Sequence, residues 1–376
     1  LVCLCFGPLL LTDRHLRSAL VPSIAIVEPT VKSEPVVVAV AARRKKYAIA
    51  FGWFFAGQEP PRSTEAIAQM LCPAVLSMIL GTHQAHVAWA NHHVPATPIE
   101  KLMVTNLRTL PSEMRKFIVS HGVRVIGVDD DLLVSKARER FKGTQLVNVL
   151  KLAAMTHPDW GYAAIQLADW DLFMLSPLDL LTPAARRGMI FVRNGSMAPT
   201  NGDLLVMRPS KQLGDSLVRA LEHGFSYRDG WGGNYSRRDL LLAKPWVDAF
   251  CKNTGARCCR SVPRSLWCFG AAEVDQGLLF HLVIDGGRKS TCYPFGNECK
   301  FTPHHLLHIT LSPKPWQVEQ AWYLEKHGQL KQPRKRLETW WERVGPLAKQ
   351  IFREDKSCGA LFDRQRELFR QWQRGQ

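Results

Sequence analysis

A short apolar run followed by two carboxylates constrains the fold of this chain more than any other feature. Residues Tyr162–Ala168 are mostly apolar; Gly161 precedes them, and Asp169 and Asp171 follow them. An apolar run this short, between turn-forming residues, is typical of a strand buried on both faces. Ligands of open α/β sheets bind beyond the carboxyl ends of the strands. The stretch therefore predicts a buried strand that ends in two acids at a ligand site.

The chemistry of these two acids favours a divalent cation. Carboxylate oxygens suit Mg²⁺ or Mn²⁺, and such ions usually link one or two carboxylates to substrate phosphates. A solvated loop is the alternative interpretation, because Asp is also common after strands and in turns. The acidic triplet at residues 129–131 is a second candidate site. We rank it lower because three consecutive side chains point in different directions.

Strand-like and helix-like patterns alternate along the chain, which predicts an α/β fold with a Rossmann-like, twisted, mainly parallel sheet and helices on both faces. The predicted strands are residues 47–55, 100–105, 123–128, 162–168, 187–192 and 306–310. The predicted helices are residues 64–84, 110–122, 146–155, 213–223 and 275–283. Residues 201–210 predict a turn and then a short strand. Residues 36–42 are also strand-prone, and residues 234–272 give no clear pattern.

Length and charge set the domain organisation and the class of partner. The 376 residues are enough for one large core or two smaller ones. We expect an N-terminal segment or linker at residues 1–46, a main domain at 47–325 and a basic, amphipathic helical tail at 326–376. Residues 1–11 are apolar but too short to span a bilayer. They are compatible with the remnant of a targeting or anchor sequence and equally with a plain terminus, so membrane association is expected only through this segment.

The formal net charge of +16 favours anionic partners. Basic residues are densest at 43–46 and 331–336. No recognisable nucleic-acid-binding module accompanies them, so nucleic acid is not an expected partner.

The ten cysteines do not form a zinc motif, because no CxxC pair occurs, and a structural zinc ion is not expected. Six of them lie between residues 251 and 299 and would supply disulfides in a secretory lumen. The sequence leaves the Golgi or secretory lumen and the cytoplasm open as locations. The six are Cys251, Cys258, Cys259, Cys268, Cys292 and Cys299.

Four short motifs, taken in order, resemble those of glycosyltransferase family 8, the glycogenin-like retaining enzymes of the GT-A fold. The resemblance covers roughly residues 97–320. The motifs are Asp169-Trp-Asp171, Asn201-Gly-Asp203, Asp275-Gln-Gly277 and His308-x5-Lys314-Pro-Trp316.

The resemblance implies a cation site and a phosphate site. Asp169, Asp171 and His308 would hold Mn²⁺ (or Mg²⁺), and Lys314 would contact the diphosphate of a nucleotide-sugar donor. Lys151 matches a basic residue that points towards the donor. Without the resemblance, His308 on an apolar strand would be interpreted as a buried, hydrogen-bonded histidine, and Lys314 as a surface charge.

The resemblance also implies residues around the sugar. Asp275 and Gln276 match a catalytic segment that lines the reactive face of the donor sugar, and Asn201 matches a residue that holds the donor sugar or the acceptor. A helix N-cap for Asp275 and a simple turn at Asn201 are the structural alternatives. Two departures from the family are notable: Leu311 stands where a Gly is usual, and Asp203 places an acid near the site.

The sequence therefore predicts a metal-dependent transferase that moves a hexose from a nucleotide-diphosphate sugar, UDP-linked, to a carbohydrate or glycoprotein hydroxyl with retention. Retention through a covalent carboxylate intermediate and retention by front-side attack both remain open. Tyr293 has the chemistry of a self-glycosylation site but no supporting motif. The alternative function is a catalytically weak GT-A-like scaffold that binds anionic glycans or protein partners.

Overall fold

A seven-stranded sheet forms the centre of the protein. The structure is a computed structural model that describes residues 46–55, 61, 63–193, 195, 197–262, 265–285, 291–292, 306–309, 312–330 and 334–375. The strands of this sheet are β1 (Lys46–Trp53), β2 (Ile99–Thr105), β3 (Val123–Gly127), β4 (Tyr162–Ala168), β6 (Ile190–Arg193), β7 (Asn201–Met207) and β8 (Thr291–Cys292). Two further strands, β5 (Leu172–Met174) and β9 (Leu306–His308), form a separate antiparallel pair.

The strand order is β3-β2-β1-β4-β7-β6-β8, and the sheet is mainly parallel. Neighbours among β3, β2, β1 and β4 are all parallel, so their carboxyl ends lie at one edge. Strand β7 is antiparallel to both of its neighbours, β4 and β6. The start of β7 therefore lies beside the end of β4, where Asp169 follows.

Helices cover both faces of the sheet, which confirms the predicted fold class. Alternate residues of β1 enter different cores: Ala48 and Ala50 pack on one face, and Ile49 and Phe51 on the other. Helices of the first face include α3 (Leu132–Arg140), α4 (Gly143–Leu150), α6 (Lys211–His223) and α10 (Asp275–Asp285). Helices of the second face include α1 (Thr64–Asn91), α2 (Ser112–Ser120), α11 (Val318–Lys326), α12 (Arg334–Arg343), α13 (Gly345–Ile351) and α14 (Cys358–Arg374). The remaining helices are α5 (Leu181–Arg187), α7 (Arg237–Leu240), α8 (Lys244–Thr254) and α9 (Arg257–Ser261).

Helix α1 is the central helix of the second face. It begins at the cap residue Ser63, whose hydroxyl accepts a hydrogen bond from the Ala66 N–H at 3.1 Å. By length and composition alone it could cross a membrane, but 67% of its most apolar window is buried inside the protein. Burial of this kind is typical of a helix that is apolar nearly all round because it lies in a core.

The three C-terminal helices pack into the same core as α1. The side chain of Trp340 in α12 is fully buried, and its ring centroid lies 5.8 Å from that of Phe173 in β5 and 5.5 Å from that of Trp316. Cys72 of α1 and Cys358 of α14 form a disulfide. Residues 44–376 belong to one compact unit.

Two disulfides cross-link the region that gave no pattern in the sequence. They join Cys251 to Cys259 and Cys258 to Cys268. The region contains the short helices α7 and α9 and the longer α8, which ends at Thr254 because Gly255 follows it with φ of +58°. Cross-links of this sort compensate for the small apolar surface that such short helices bury.

Several predicted boundaries were wrong. Arg187 ends α5 instead of beginning a strand, because Gly188 follows it with φ of +65° and terminates the helix. The predicted turn at Asn201 is the first residue of β7. The predicted helix at residues 146–155 is two elements, since α4 ends at Leu150 and a 3₁₀ segment continues as Lys151–Met155. The strand predicted at residues 36–42 lies outside the described residues.

Candidate functional site

Asp169 and Asp171 lie directly beyond β4, at the edge where the parallel strands end. The Asp169 N–H donates to the carbonyl oxygen of Asp203 at 2.9 Å, and the Leu172 N–H donates to the Asp169 carbonyl at 3.1 Å. This turn leaves the two carboxylates in different environments. The Asp169 side chain is 31% exposed and that of Asp171 only 8%. The pair therefore opens to solvent on the side of Asp169.

The antiparallel pair of β5 and β9 brings His308 to the two acids. His308 is directly opposite Leu172, and the Ile309 N–H donates to the Asp171 carbonyl oxygen at 3.2 Å. The His308 Nε2 lies 3.3 Å from Asp171 Oδ1 and 4.0 Å from Asp169 Oδ2. The three side chains that the family resemblance assigns to a metal thus lie together.

The spacing of these donor atoms fits one divalent ion. One donor atom from each of Asp169, Asp171 and His308 lies within 4.8 Å of the others. Donors that are about 2.1 Å from an octahedral ion lie about 3.0 Å apart when adjacent and about 4.2 Å apart when opposite. The separations of 3.3 and 4.0 Å are close to these values. The two carboxylates and the imidazole would offer oxygen and nitrogen ligands to such an ion.

Two buried lysines bind the carboxylate oxygens that face away from His308. Lys151 Nζ donates to Asp169 Oδ1 at 2.9 Å. Lys314 Nζ donates to Asp171 Oδ2 at 2.5 Å and also to the carbonyl oxygen of Ile309. Each acid therefore offers one oxygen to a lysine and the other to the histidine side of the cluster. One cation on the His308 side and the two lysine ammonium groups can therefore bind the two acids at the same time, each through a different oxygen.

The electrostatic balance of the cluster is reflected in the pKa shifts. Burial raises the pKa of Asp171, but the hydrogen bond from His308 and the charge of Lys314 outweigh it, and the pKa is lowered overall. Burial lowers the pKa of His308, while its hydrogen bonds to Asp171 and Asp203 raise it to about 9. Cationic and anionic groups in the cluster therefore stabilise each other's charged forms.

Asp275 is the first residue of α10 and lies beside Lys151. Its side chain is buried, and a Cβ atom added at Gly202 would lie 2.6 Å from Asp275 Oδ2 and 2.9 Å from Lys151 Nζ. Burial raises the pKa of Asp275, Lys151 partly opposes this, and the net shift is upward. Burial lowers the pKa of Lys151, but Asp169 and Asp275 outweigh it and raise the pKa. The absence of a side chain at Gly202 allows this close approach.

Asn201 and Gln276 lie nearby. The Asn201 Oδ1 accepts a hydrogen bond from the Asp203 N–H at 3.3 Å. The Gln276 carbonyl oxygen accepts one from the Thr200 hydroxyl at 2.5 Å, which ties the start of α10 to the segment before β7. The predicted site residues on β7 and α10 are thus connected, and their assigned roles towards a donor sugar stay predictions.

Sequence reasoning did not assign a role to Asp203 or Arg193. The Asp203 side chain is fully buried, and its Oδ2 lies 2.9 Å from His308 Nδ1 and 2.5 Å from Arg193 Nη1. The signal that could have predicted the inward direction of the Asp203 side chain is strand periodicity. Residues 201, 203 and 205 share one face of β7, so a strand beginning at Asn201 would have predicted an inward acid.

The acidic triplet has structural roles. Asp131 caps α3 by accepting hydrogen bonds from the Leu133 and Val134 N–H groups. Asp129 accepts from two backbone N–H groups of the loop after β2, and Asp130 pairs with Arg108. Asp129 and Asp130 thus bind the loop after β2, while Asp131 binds the start of α3.

Other potential ligand groups in the described residues contain cysteines that are already in disulfides. They are Cys251, Cys259 and Cys268, and His121, Asp355 and Cys358. A cavity of about 510 Å³ lies near the start of β4, where Pro158, Met207 and Lys211 contribute to its lining, and not at the carboxylate cluster. Leu311 and Tyr293 lie outside the described residues.

No protein-family model matches the chain, and no curated protein matches it in sequence. Among solved structures it is similar to the galactosyltransferase LgtC in complex with donor and acceptor sugar analogues, at 13% identity over 79% of this chain and 99% of that one, with a TM-score of 0.35. It is also similar to apo mouse xyloside xylosyltransferase 1, at 11% identity over 66% of this chain and 84% of that one, with a TM-score of 0.33. Both are glycosyltransferases.

Proposed function

We propose that this protein is a metal-dependent glycosyltransferase of the GT-A type. It transfers a hexose from a nucleotide-diphosphate sugar, UDP-linked, to a hydroxyl of a carbohydrate or glycoprotein, with retention of configuration. The observation that carries the proposal is the convergence of Asp169, Asp171 and His308 at the carboxyl edge of the sheet, with a lysine on each acid. The order of the four motifs supports the likeness to glycosyltransferase family 8.

The residues of the cluster are suited to holding a diphosphate. The chemistry that Mn²⁺ or Mg²⁺ supplies when bound at such a site is neutralisation of the charge on a departing nucleoside diphosphate. Lys314 and Lys151 are compact positive charges, a common means of binding phosphate. The partly exposed Asp169 marks the side from which the diphosphate enters. Burial of the other groups excludes water and strengthens their electrostatic effect.

Asp275, Gln276 and Asn201 are the proposed sugar-facing residues. Asp275 lies beside Lys151, close to the carboxylate cluster, and its raised pKa makes this carboxyl group easier to protonate than usual. A buried carboxyl group at that position would hydrogen-bond to hydroxyls of the donor sugar. The tie between Thr200 and Gln276 holds β7 and α10 together, so these residues would contact one bound sugar.

The test is donor hydrolysis, because it requires no knowledge of the acceptor. The purified chain is incubated with a panel of nucleotide sugars and Mn²⁺, and release of nucleoside diphosphate is measured. Asp171→Asn conserves the shape of the side chain but removes the negative charge of one proposed metal ligand. This variant should therefore show no turnover. The matched control is Asp215→Asn, whose carboxylate pairs with Lys211 on the surface of α6, and it should turn over donor like the wild type. No turnover of any donor by the wild type would contradict the proposal.

The same donors and the same Asp171→Asn variant distinguish the scaffold alternative from a catalytic site. Lys151 and Lys314 already pair with both acids, which is the observation in favour of a site that holds its charges without catalysis. A catalytic site should show an Mn²⁺-dependent rise in thermal stability with one donor and no turnover in Asp171→Asn. A scaffold should bind anionic glycans equally well before and after the Asp171→Asn substitution, without Mn²⁺.

A further inference from the structure

We propose that Asp203 is a positioning residue that holds His308 for the divalent cation, and that Arg193 in turn holds Asp203. This inference rests on the metal-dependent function proposed above. The motif resemblance assigns no role to Asp203. Asp203 contacts the ring of His308, the backbone N–H of Asp169 and the guanidinium group of Arg193.

The first contact defines which nitrogen of His308 faces the cluster. Asp203 Oδ2 lies 2.9 Å from His308 Nδ1. A carboxylate accepts only, so this contact requires a hydrogen on Nδ1. The Nε2 atom is the one that lies 3.3 Å from Asp171 Oδ1 and 4.0 Å from Asp169 Oδ2. A histidine that ligates a metal commonly donates its other ring N–H to a carboxylate, which fixes both the tautomer and the ring orientation.

The second contact links Asp203 to the acidic half of the cluster. The Asp203 carbonyl oxygen accepts the Asp169 N–H at 2.9 Å, just beyond the antiparallel pairing of Ala168 with Leu204. Asp203 therefore fixes the backbone of one proposed ligand through its main chain and the ring of another through its side chain. The two ligands come from distant parts of the sequence, and Asp203 is a common contact of both.

The third contact is electrostatic. A fully buried carboxylate is costly unless it is paired. Arg193 on the neighbouring strand β6 makes that pair, and its side chain is 26% exposed while that of Asp203 is fully buried. Because Arg193 supplies a permanent positive charge, Asp203 keeps a partner whatever His308 binds at Nε2. The chain Arg193–Asp203–His308 thus orients the Nε2 atom of the ring towards the two proposed carboxylate ligands.

The experiment is Mn²⁺ binding by the full chain, measured by EPR with no sugar donor present. Asp203→Asn preserves the shape of the side chain and removes its charge. We expect its Kd for Mn²⁺ to rise by about 10- to 100-fold. In pulsed EPR at saturating Mn²⁺, the coupling to a histidine nitrogen should be weakened or lost in the variant, which a purely structural role would not cause. Asp215→Asn on the surface of α6 should bind Mn²⁺ like the wild type.

A second variant keeps the test informative if Asp203→Asn alone does not fold. Arg193→Met combined with Asp203→Asn removes both charges, so neither is left buried without a partner. It should fold and should still bind Mn²⁺ more weakly than the wild type.

The outcomes separate this inference from the proposed function. If the wild type binds Mn²⁺ and a folded variant of either kind binds it equally well with the same nitrogen coupling, the role of Asp203 is overturned and the proposed function stands. If the wild type fails to bind Mn²⁺, the metal-dependent function is itself contradicted. If neither variant folds, Asp203 acts in folding and the positioning role is overturned.

Discussion

Cys72 of α1 is disulfide-bonded to Cys358 of α14, across a sequence separation of 286 residues. The bond joins the central helix of one core to the last helix of the chain. Both cysteines are fully buried. The disulfide therefore closes the covalent loop that contains every residue of the proposed site.

Removing this cross-link should destabilise the protein markedly. A disulfide stabilises mainly by restricting the unfolded chain, and the effect grows with loop length. We expect Cys72→Ala with Cys358→Ala to lower the free energy of unfolding by about 2–5 kcal/mol, measured by urea denaturation. The matched control is Cys251→Ala with Cys259→Ala, whose sequence separation is only 8 residues. An equal or larger loss in the control would contradict the entropic explanation.

Trp340 should be among the most sensitive core positions. Its ring is fully buried between Phe173 and Trp316, so truncation leaves a large cavity. Trp340→Ala should cost about 3–5 kcal/mol of unfolding free energy. Tyr323 on α11 is 60% exposed, and Tyr323→Ala should change stability by less than about 0.5 kcal/mol. A cost below about 1 kcal/mol for Trp340→Ala would mean that α12 does not support β5.

Asp131 should make stability depend on pH in the acidic range. Burial raises its pKa, but the contact with His157 and the Val134 N–H outweigh this, and the pKa is lowered in the folded protein. A carboxyl group with a lowered folded-state pKa stabilises the protein above its unfolded pKa, and the stabilisation is lost as the pH falls through the folded value. Asp131→Ala should therefore cost about 1–2 kcal/mol at neutral pH, and the cost should shrink below about pH 4.

The measurement for Asp131 is urea denaturation of the wild type and the variant between about pH 7 and about pH 3. Asp215→Ala on the surface of α6 is the control and should show little difference at any pH. If the loss of unfolding free energy in Asp131→Ala stays constant or grows as the pH falls, the ionised carboxylate of Asp131 is not the source of the stabilisation.

Gly202 should be intolerant of a methyl group. A Cβ atom there would lie 2.6 Å from Asp275 Oδ2 and 2.9 Å from Lys151 Nζ, so at least one of the two side chains must move. If the proposed function is correct, Gly202→Ala should reduce donor hydrolysis by about 100-fold, the cost of displacing groups by roughly 1 Å. The control is Gly195→Ala, where the nearest atom would be 3.6 Å away. Donor hydrolysis would be unaffected by Gly202→Ala if these side chains have no part in it.

The parts of the fold that depend on local pattern were predictable from the sequence. The apolar run 162–168 forms β4 with the bounds expected of it, and the alternation of strands and helices gave the α/β class. Boundaries failed where one residue decides the local conformation, as Gly188 does at the end of α5. Periodicity alone does not resolve such positions.

Long-range contacts were predictable only through the motif resemblance, and then only in part. The motif resemblance assigned Asp169, Asp171 and His308 to one metal site. In the structure, one potential ligand atom of each lies within 4.8 Å of the others. Strand β9 was predicted within residues 306–310, but its partner β5 was not, because it is only three residues long, and so their antiparallel pairing was not predictable. The contact of Asp203 with His308 depends on the pairing of β4 with β7, which a single sequence does not reveal.

Because Trp340 packs against Phe173, the core around β5 is completed only by residues that are synthesised late. Every motif of the proposed site is translated by Trp316, before α12, α13 and α14 leave the ribosome. Those three helices complete the core on which β5 lies. A truncated message that stops soon after Trp316 would therefore encode every residue of the proposed site and still yield no folded protein. Its product would expose the apolar side of α1, and the cell would treat it as a misfolded chain and degrade it.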